Sequence, residues 1–285
     1  EPTLKRVKNE ISKQYLNLGL YSATVETKVT PQERNRVAID FYINEGSTAR
    51  IKEVKIIGVT NFDEDDLLNR LDLKPTSFMS WWNKDDRYSR QVLTGDLEKI
   101  RSFYMNRGYL DFDIENTTVS ISETKKNVYI AIIIDEGDKY NFGDIRISGK
   151  FYPLKEESIF QNNIKTSKGE VFSRKLLNQS TESINQELGN YGYAFSNVNP
   201  IPDVDKNNLT VGFNYFIEPG KKVYVRRISF IGNERTQDKV LRREMRQFES
   251  SYYDKEKIDQ STRRLKRTQY FEGVDIKTVS VPGIS

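Results

Sequence analysis

Three times along this chain an acidic-Gly step opens a β-rich run that a second glycine closes: Glu45-Gly46 to Gly58, Glu136-Gly137 to Gly149, and Glu218-Pro219-Gly220 to Gly232. The closing glycines stand 91 and then 83 residues apart, and the opening glycines repeat both offsets. Two independent markers agreeing on one period define an internal repeat, which fixes the architecture before any single motif does. The chain of 285 residues therefore divides into small modules rather than one large domain, with boundaries expected at 1–48, 49–138, 139–220 and 221–285.

Each unit reads strand, helix, helix, strand, strand. In the second, Ile51 to Ile56 alternates ahead of Gly58 as a short strand. Asp63 is placed to cap a helix reaching Leu71, with Asp66 at its third position. A second helix is expected over Tyr88–Arg107, where Leu93, Leu97, Ile100 and Tyr104 recur at helical spacing and Gly108 supplies the stop. Leu177, Ile184, Leu188 and Tyr191 ahead of Gly192 repeat that face, as do Leu4, Val7, Ile11 and Leu18 ahead of Gly19. The first unit begins at its second helix. The last carries Ile258 and Leu265, one expected strand at Gly273–Val279, and stops at Pro282-Gly283 without its final strand; both ends look cut. Three strands and two helices per unit predict an α+β fold, a three-stranded mixed sheet with both helices on one face. Val128–Ile134, apolar at nearly every position, reads as the central strand, and the charged, alternating Leu110–Ile121 as an edge strand. Almost no linker separates the units, so a semi-rigid string is expected.

Composition narrows the chemistry. The chain has no cysteine and no histidine, which removes disulfides, thiol nucleophiles and Ser-His or Cys-His catalytic pairs. No phosphate-binding loop, nucleophile elbow or dinucleotide glycine pattern is present, and the adjacent carboxylates Asp65-Asp66 and Asp85-Asp86 point to different faces. No catalytic residue, metal site or cofactor is assigned. No apolar run approaches the roughly 20 residues needed to span a bilayer as a helix, and Glu1-Pro2-Thr3-Leu4 carries no leader features. The net charge of +4 is unevenly spread: residues 221–285 hold 16 Lys+Arg against 9 Asp+Glu, a local +7. Aromatic residues do not interleave with that basic segment as a nucleic-acid stacking platform requires.

At this point the residues resemble the POTRA-domain family, and within it the arm of BamA-type outer-membrane assembly factors. The most specific stretch is Tyr224-Val225-Arg226-Arg227-Ile228-Ser229-Phe230, continuing through Ile231-Gly232-Asn233-Glu234-Arg235-Thr236 and Val240-Leu241-Arg242-Arg243-Glu244-Met245-Arg246-Gln247. Trp81-Trp82-Asn83, Gly95-Asp96-Leu97-Glu98, Arg107-Gly108-Tyr109 and Tyr191-Gly192-Tyr193-Ala194 add to it. The resemblance covers the whole chain as the second half of POTRA 2, then POTRA 3, 4 and most of 5. It implies a periplasmic location at the outer membrane, with a signal peptide and earlier repeats before this segment and a membrane β-barrel after it. It implies no enzymatic activity. The partners it implies are unfolded outer-membrane proteins, accessory lipoproteins (BamD at the last module, BamB at earlier ones) and the membrane surface near the C-terminal module. The nearest rival is the arm of a TamA-type assembly protein or a two-partner-secretion pore; the match at Val240–Gln247 favours the BamA type. One departure stands out: Gln269 occupies a place where the family has glycine, so either the helix stop differs or the alignment shifts by a residue.

Two candidate surfaces follow. In the edge strand, Leu110, Phe112 and Ile114 share one parity while Val119 and Ile121 have the other, so an extra residue is expected near Glu115–Thr118, a β-bulge. Such a strand can receive an added strand through sequence-independent backbone bonds; a bulge can equally serve only to protect the edge. The resemblance favours strand addition along Leu110, Phe112, Ile114, Glu115, Val119 and Ile121. The second surface is the basic stripe Lys239, Arg242, Arg243 and Arg246, at helical spacing opposite Val240, Leu241, Met245 and Phe248. It is either a solvated helix face or, with Glu244, a docking face for the lipoprotein BamD, the region the resemblance implies. Glu244 paired internally with Arg243 or Lys239 is the competing arrangement. Trp81 and Trp82 read as loop anchors rather than a stacking platform.

Overall fold

The computed structural model describes residues 2–34, 36–46, 48–76, 86–150 and 158–281, and falls into two compact units, 1–139 and 140–285. Trp81, Trp82 and Asp85 lie outside the described residues.

The first unit opens with α1 (Pro2–Asn17) and the antiparallel hairpin β1 (Thr24–Gln32) and β2 (Arg36–Asn44), paired from Thr24↔Asn44 to Gln32↔Arg36. A complete module follows: β3 (Arg50–Ile57), α2 (Glu64–Leu68), α3 (Arg90–Met105), β4 (Asp113–Ile121) and β5 (Asn127–Asp135). Its sheet has the order β3-β5-β4, with β3 parallel and β4 antiparallel to the central strand. This is the expected mixed sheet. Val128, Ile130, Ile132 and Ile134 of β5 point into a core with Ile51, Leu67, Leu93 and Ile100. Tyr129 on the opposite face is exposed, so the apolar run of β5 is buried on one side only, where the helices lie. The first helix is shorter than the spacing suggested and ends at Leu68. Asp63 caps it by accepting from Asp65 N at 3.1 Å, without a contribution from Asp66.

In the second unit β6 (Asn141–Gly149), α4 (Ser158–Gln161), α5 (Arg174–Asn190), β7 (Asn197–Asp205) and β8 (Thr210–Glu218) repeat the arrangement, with sheet order β6-β8-β7. Tyr191 is exposed at the end of α5, not on its apolar face. Then come α6 (Asp238–Glu244) and α7 (Lys255–Arg267). The strand expected at Gly273–Val279 is absent, and residues 221–281 contain no strand at all. The physical reason lies in the repeat: the central strand, β5 or β8, comes last in each module and supplies the ladder for both neighbours. With no counterpart in residues 221–281, the flanking segments have nothing to pair with. Their side chains still collapse, Ile228, Phe230, Phe271, Val274 and Ile276 packing on Leu241, Met245 and Leu265.

The repeat extends to buried polar atoms. Seven residues after each second-helix N-cap (Ser89, Ser173, Asp254) a polar side chain turns inward and holds the loop that follows the first helix. Asp96 accepts from Asp72 N and Leu73 N, both at 2.9 Å; Ser180 and Ser261 accept at 2.8 Å from Lys165 N and Arg246 N. Paired in this way, each buried group avoids its desolvation cost.

Joints within each unit also recur. Gly19 O accepts from Ala49 N and Gly192 O from Val223 N, both at 3.0 Å. Gly19 has φ +79°, and a Cβ there would stand 2.3 Å from the Tyr88 carbonyl oxygen; only glycine allows this approach. Position 269 shows the opposite choice: Gln269 takes φ +57°, so a glutamine fills the left-handed stop of α7. That helix is one turn shorter than α5.

Candidate partner-binding edges

The edge strand β4 carries its bulge at Glu115: Ile114 pairs with Ile134, and the register resumes with Asn116 opposite Ile133. This single extra residue brings Ile114, Thr117, Val119 and Ile121 onto one face, opposite Ile134, Ile132, Ile130 and Val128. Ile114 and Val119 pack partly against the core, while Glu115 and Ile121 are exposed. Just beyond the strand, Ser122 N donates to Asn127 O at 2.9 Å. Antiparallel residues alternate between bonded and non-bonded pairs, so Ser120 and Thr118 face the ladder, and the N–H groups of Ile121, Val119 and Thr117 point to the free edge.

Leu110 and Phe112 do not belong to this edge. The strand begins at Asp113; Leu110 N donates to Gly108 O in a turn, and Phe112, 2% exposed, stacks on Tyr104 with ring centroids 4.4 Å apart. Arg101 clamps the corner, reaching Phe112 O at 3.3 Å and Asp113 Oδ1 at 3.1 Å. The alternation that continues through these residues is that of a turn packing into the core.

The second surface is also rearranged. Helix α6 ends at Glu244 because Met245 turns to ψ 142°, so Arg246 lies past the helix and the four basic residues form no continuous helical stripe. Arg242 is held by Asp238 at 2.9 Å, Glu249 at 3.2 Å and Ile228 O at 2.9 Å. Its guanidinium is stabilised in the charged form first by Asp238 and then by Glu249. Glu244, 15% exposed at its side chain, pairs with Arg264 on α7 at 2.7 Å and with Arg243 at 3.4 Å. It ties the two helices together; neither expected partner accounts for its main contact. Lys239 is exposed and the Arg243 side chain is 75% exposed.

Two residues escaped sequence reasoning. Gln247, buried, donates from Nε2 to Ser251 Oγ and Tyr252 O and accepts Asp254 N at Oε1, organising the α6–α7 loop. Glu136, 4% exposed, accepts from Thr60 N at 3.0 Å, Asn61 N at 3.0 Å and the Tyr104 hydroxyl at 2.8 Å, and also from the Thr60 hydroxyl and the Asn61 amide. Burial alone would raise its carboxyl; the bonds from Thr60, Tyr104 and Asn61 outweigh burial and hold it below the ordinary glutamate value. Burial and then this carboxylate push the Tyr104 hydroxyl well up. The equivalent pair in the first module, Tyr15 with Glu45 at 3.4 Å, repeats the contact. The signal was the acidic-Gly marker itself. Among the described residues no cluster of three acidic side chains could hold a metal ion, and no helix is long and apolar enough to cross a membrane.

POTRA, described as the surface antigen variable number repeat, matches residues 2–46, 49–137, 140–220 and 223–283. The chain belongs to the POTRA family. It is 31% identical over 283 residues to the outer membrane protein assembly factor BamA of Neisseria meningitidis serogroup B, covering 99% of this chain and 35% of that protein. To BamA of Buchnera aphidicola it is 32% identical over 264 residues, covering 92% of this chain and 42% of the relative. The chain thus spans well under half the length of these curated relatives. Among solved structures, POTRA3-5 of Haemophilus influenzae BamA matches with a TM-score of 0.71 at 26% identity, over 83% of this chain and 92% of that one. The β-α-α-β-β modules with mixed sheets are POTRA folds.

Proposed function

We propose that this POTRA segment is a non-catalytic part of the periplasmic arm of an outer-membrane protein assembly factor. It holds extended segments of unfolded outer-membrane proteins by strand addition at β4 and docks accessory lipoproteins through its C-terminal module. The observation that carries the first half is the free edge of β4, where Thr117, Val119 and Ile121 turn their N–H groups outward beyond a bulge confined to Glu115. Bonds along such an edge are backbone to backbone, so many client sequences fit it. For docking, the exposed charges Lys239 and Arg243 offer the accessible contact, with Glu244 holding α6 in place; the excess positive charge of residues 221–285 favours an acidic partner or the anionic membrane surface.

The test is a nuclear magnetic resonance titration of the chain with a peptide from a transmembrane β-strand, repeated with Val119→Pro. Proline removes one outward donor without touching the bond ladder to β5, so binding should fall while β5 amides keep their protection. Equal affinity in the folded proline variant would refute strand addition at β4.

A further inference from the structure

The two complete modules present the same edge with different chemistry. Register aligns β7 with β4 residue by residue: Thr117 and Val119 stand opposite Ile132 and Ile130, and Pro200 and Pro202 stand opposite the equivalent Tyr215 and Phe213. In the first module the same places, opposite Phe41 and Ile39, hold Thr27 and Val29. Only β7 has proline at either one.

Two observations fix which way these prolines face. By the repeat, they occupy the positions whose N–H groups point away from the ladder in β4, the orientation set by Ser122 N donating to Asn127 O. Independently, the β7–β8 register runs unbroken from Asn197↔Glu218 to Asp205↔Thr210, and proline is accommodated within a ladder only where its nitrogen faces the free side. The outward positions of β7 are therefore Val198, Pro200, Pro202 and Val204. The middle two have no hydrogen to donate, and their ring carbons stand where an incoming carbonyl would approach.

We propose that Pro200 and Pro202 close the β7 edge to strand addition, so that an extended client segment is captured at β4 and refused at β7. This rests on strand addition as the mode of binding proposed above. It makes residues 139–220 a spacer rather than a capture site, and leaves an arriving strand one open edge instead of two within the pair of complete modules. β4 is guarded against indiscriminate pairing only by its bulge, which leaves Thr117–Ile121 open; β7 has no bulge and is guarded by proline.

The experiment uses the whole chain, isotope-labelled, with an unlabelled synthetic peptide alternating Thr with Val and Tyr, of the about 9–11 residues of a membrane β-strand. In the wild type, shifts should map to β4 and not to β7. In Pro200→Thr/Pro202→Val, which installs the β4 residues, a second site should appear at β7. Its affinity should rise about 25-fold, taking about fivefold for each restored backbone bond. The reciprocal Thr117→Pro/Val119→Pro protein should lose the β4 site, so the idea remains testable if the first variant does not fold. Wild-type binding at both edges, or a folded β7 variant that gains nothing while β4 still binds, would overturn the role of the prolines. Binding at neither edge in the wild type would instead overturn strand addition itself, and the selectivity with it.

Discussion

Glu136→Gln isolates the charge of one buried carboxylate while keeping its shape. In the native protein Oε1 accepts from Thr60 N and the Tyr104 hydroxyl, and Oε2 from Asn61 N, the Thr60 hydroxyl and the Asn61 amide. An amide offers one oxygen and one NH2, so whichever way it is turned, its nitrogen faces donors. Tyr104 is fully buried and has no water to turn to, whereas the Thr60–Asn61 loop is exposed and recovers part of its loss. Bonds to a charged group contribute about 1.5–3 kcal/mol each; losing two, with solvent compensating at the loop, gives about 3 kcal/mol. The sign with pH follows from the lowered carboxyl: its contribution is fully present above the ordinary value of 4.5 and is lost as pH falls through the lower folded value. The assay is urea-dependent hydrogen exchange of the β5 amides at neutral pH and at successively more acid pH. The wild-type module should be about 3 kcal/mol more stable than the variant at neutral pH, and the gap should close in acid. A variant within about 0.5 kcal/mol at neutral pH, or a gap that does not change with acid, would show that Glu136 does not act as a charged acceptor.

Gln269→Gly should raise the stability of the C-terminal module by about 1 kcal/mol, because glycine adopts the left-handed stop without the steric cost borne by a side chain; thermal unfolding followed on α7 amides reads it. Glu244→Lys should lower stability by about 1–2 kcal/mol through lost bonds to Arg264 and Arg243, visible by circular dichroism. Arg243→Glu should leave stability within about 0.5 kcal/mol yet weaken binding to a BamD-type lipoprotein, most at low salt. If both variants weaken docking equally with unchanged stability, Glu244 contacts the partner directly.

The bulge was legible because a parity change in an alternating strand has one geometric remedy. Where the strand begins was not. Leu110 and Phe112 keep the alternation, but Phe112 obeys it to stack on Tyr104, and periodicity records burial without recording backbone pairing. The basic stripe failed for a related reason: the spacing from Lys239 to Arg246 assumes helix throughout, and the chain leaves helix at Met245. Glu136 was found as punctuation and missed as chemistry, since nothing in an acidic-Gly step says that the carboxylate turns inward to a tyrosine 32 positions earlier.

Pro200 and Pro202 were visible from the start, but their meaning depends on register. In an antiparallel strand the side chain's face and the N–H group's direction alternate together. On β4 the residues facing the helices, Thr117, Val119 and Ile121, are therefore the ones whose amides face the outside. Choosing a core-side residue on such a strand sets the chemistry of its free edge at the same time. Threonine and valine leave the donors in place at β4. Proline, half-buried at Pro200 and exposed at Pro202, withdraws them at β7 while the register of the ladder stays unbroken. A repeat can thus keep one frame throughout and still give its modules different partners, by a substitution that packing alone would not distinguish.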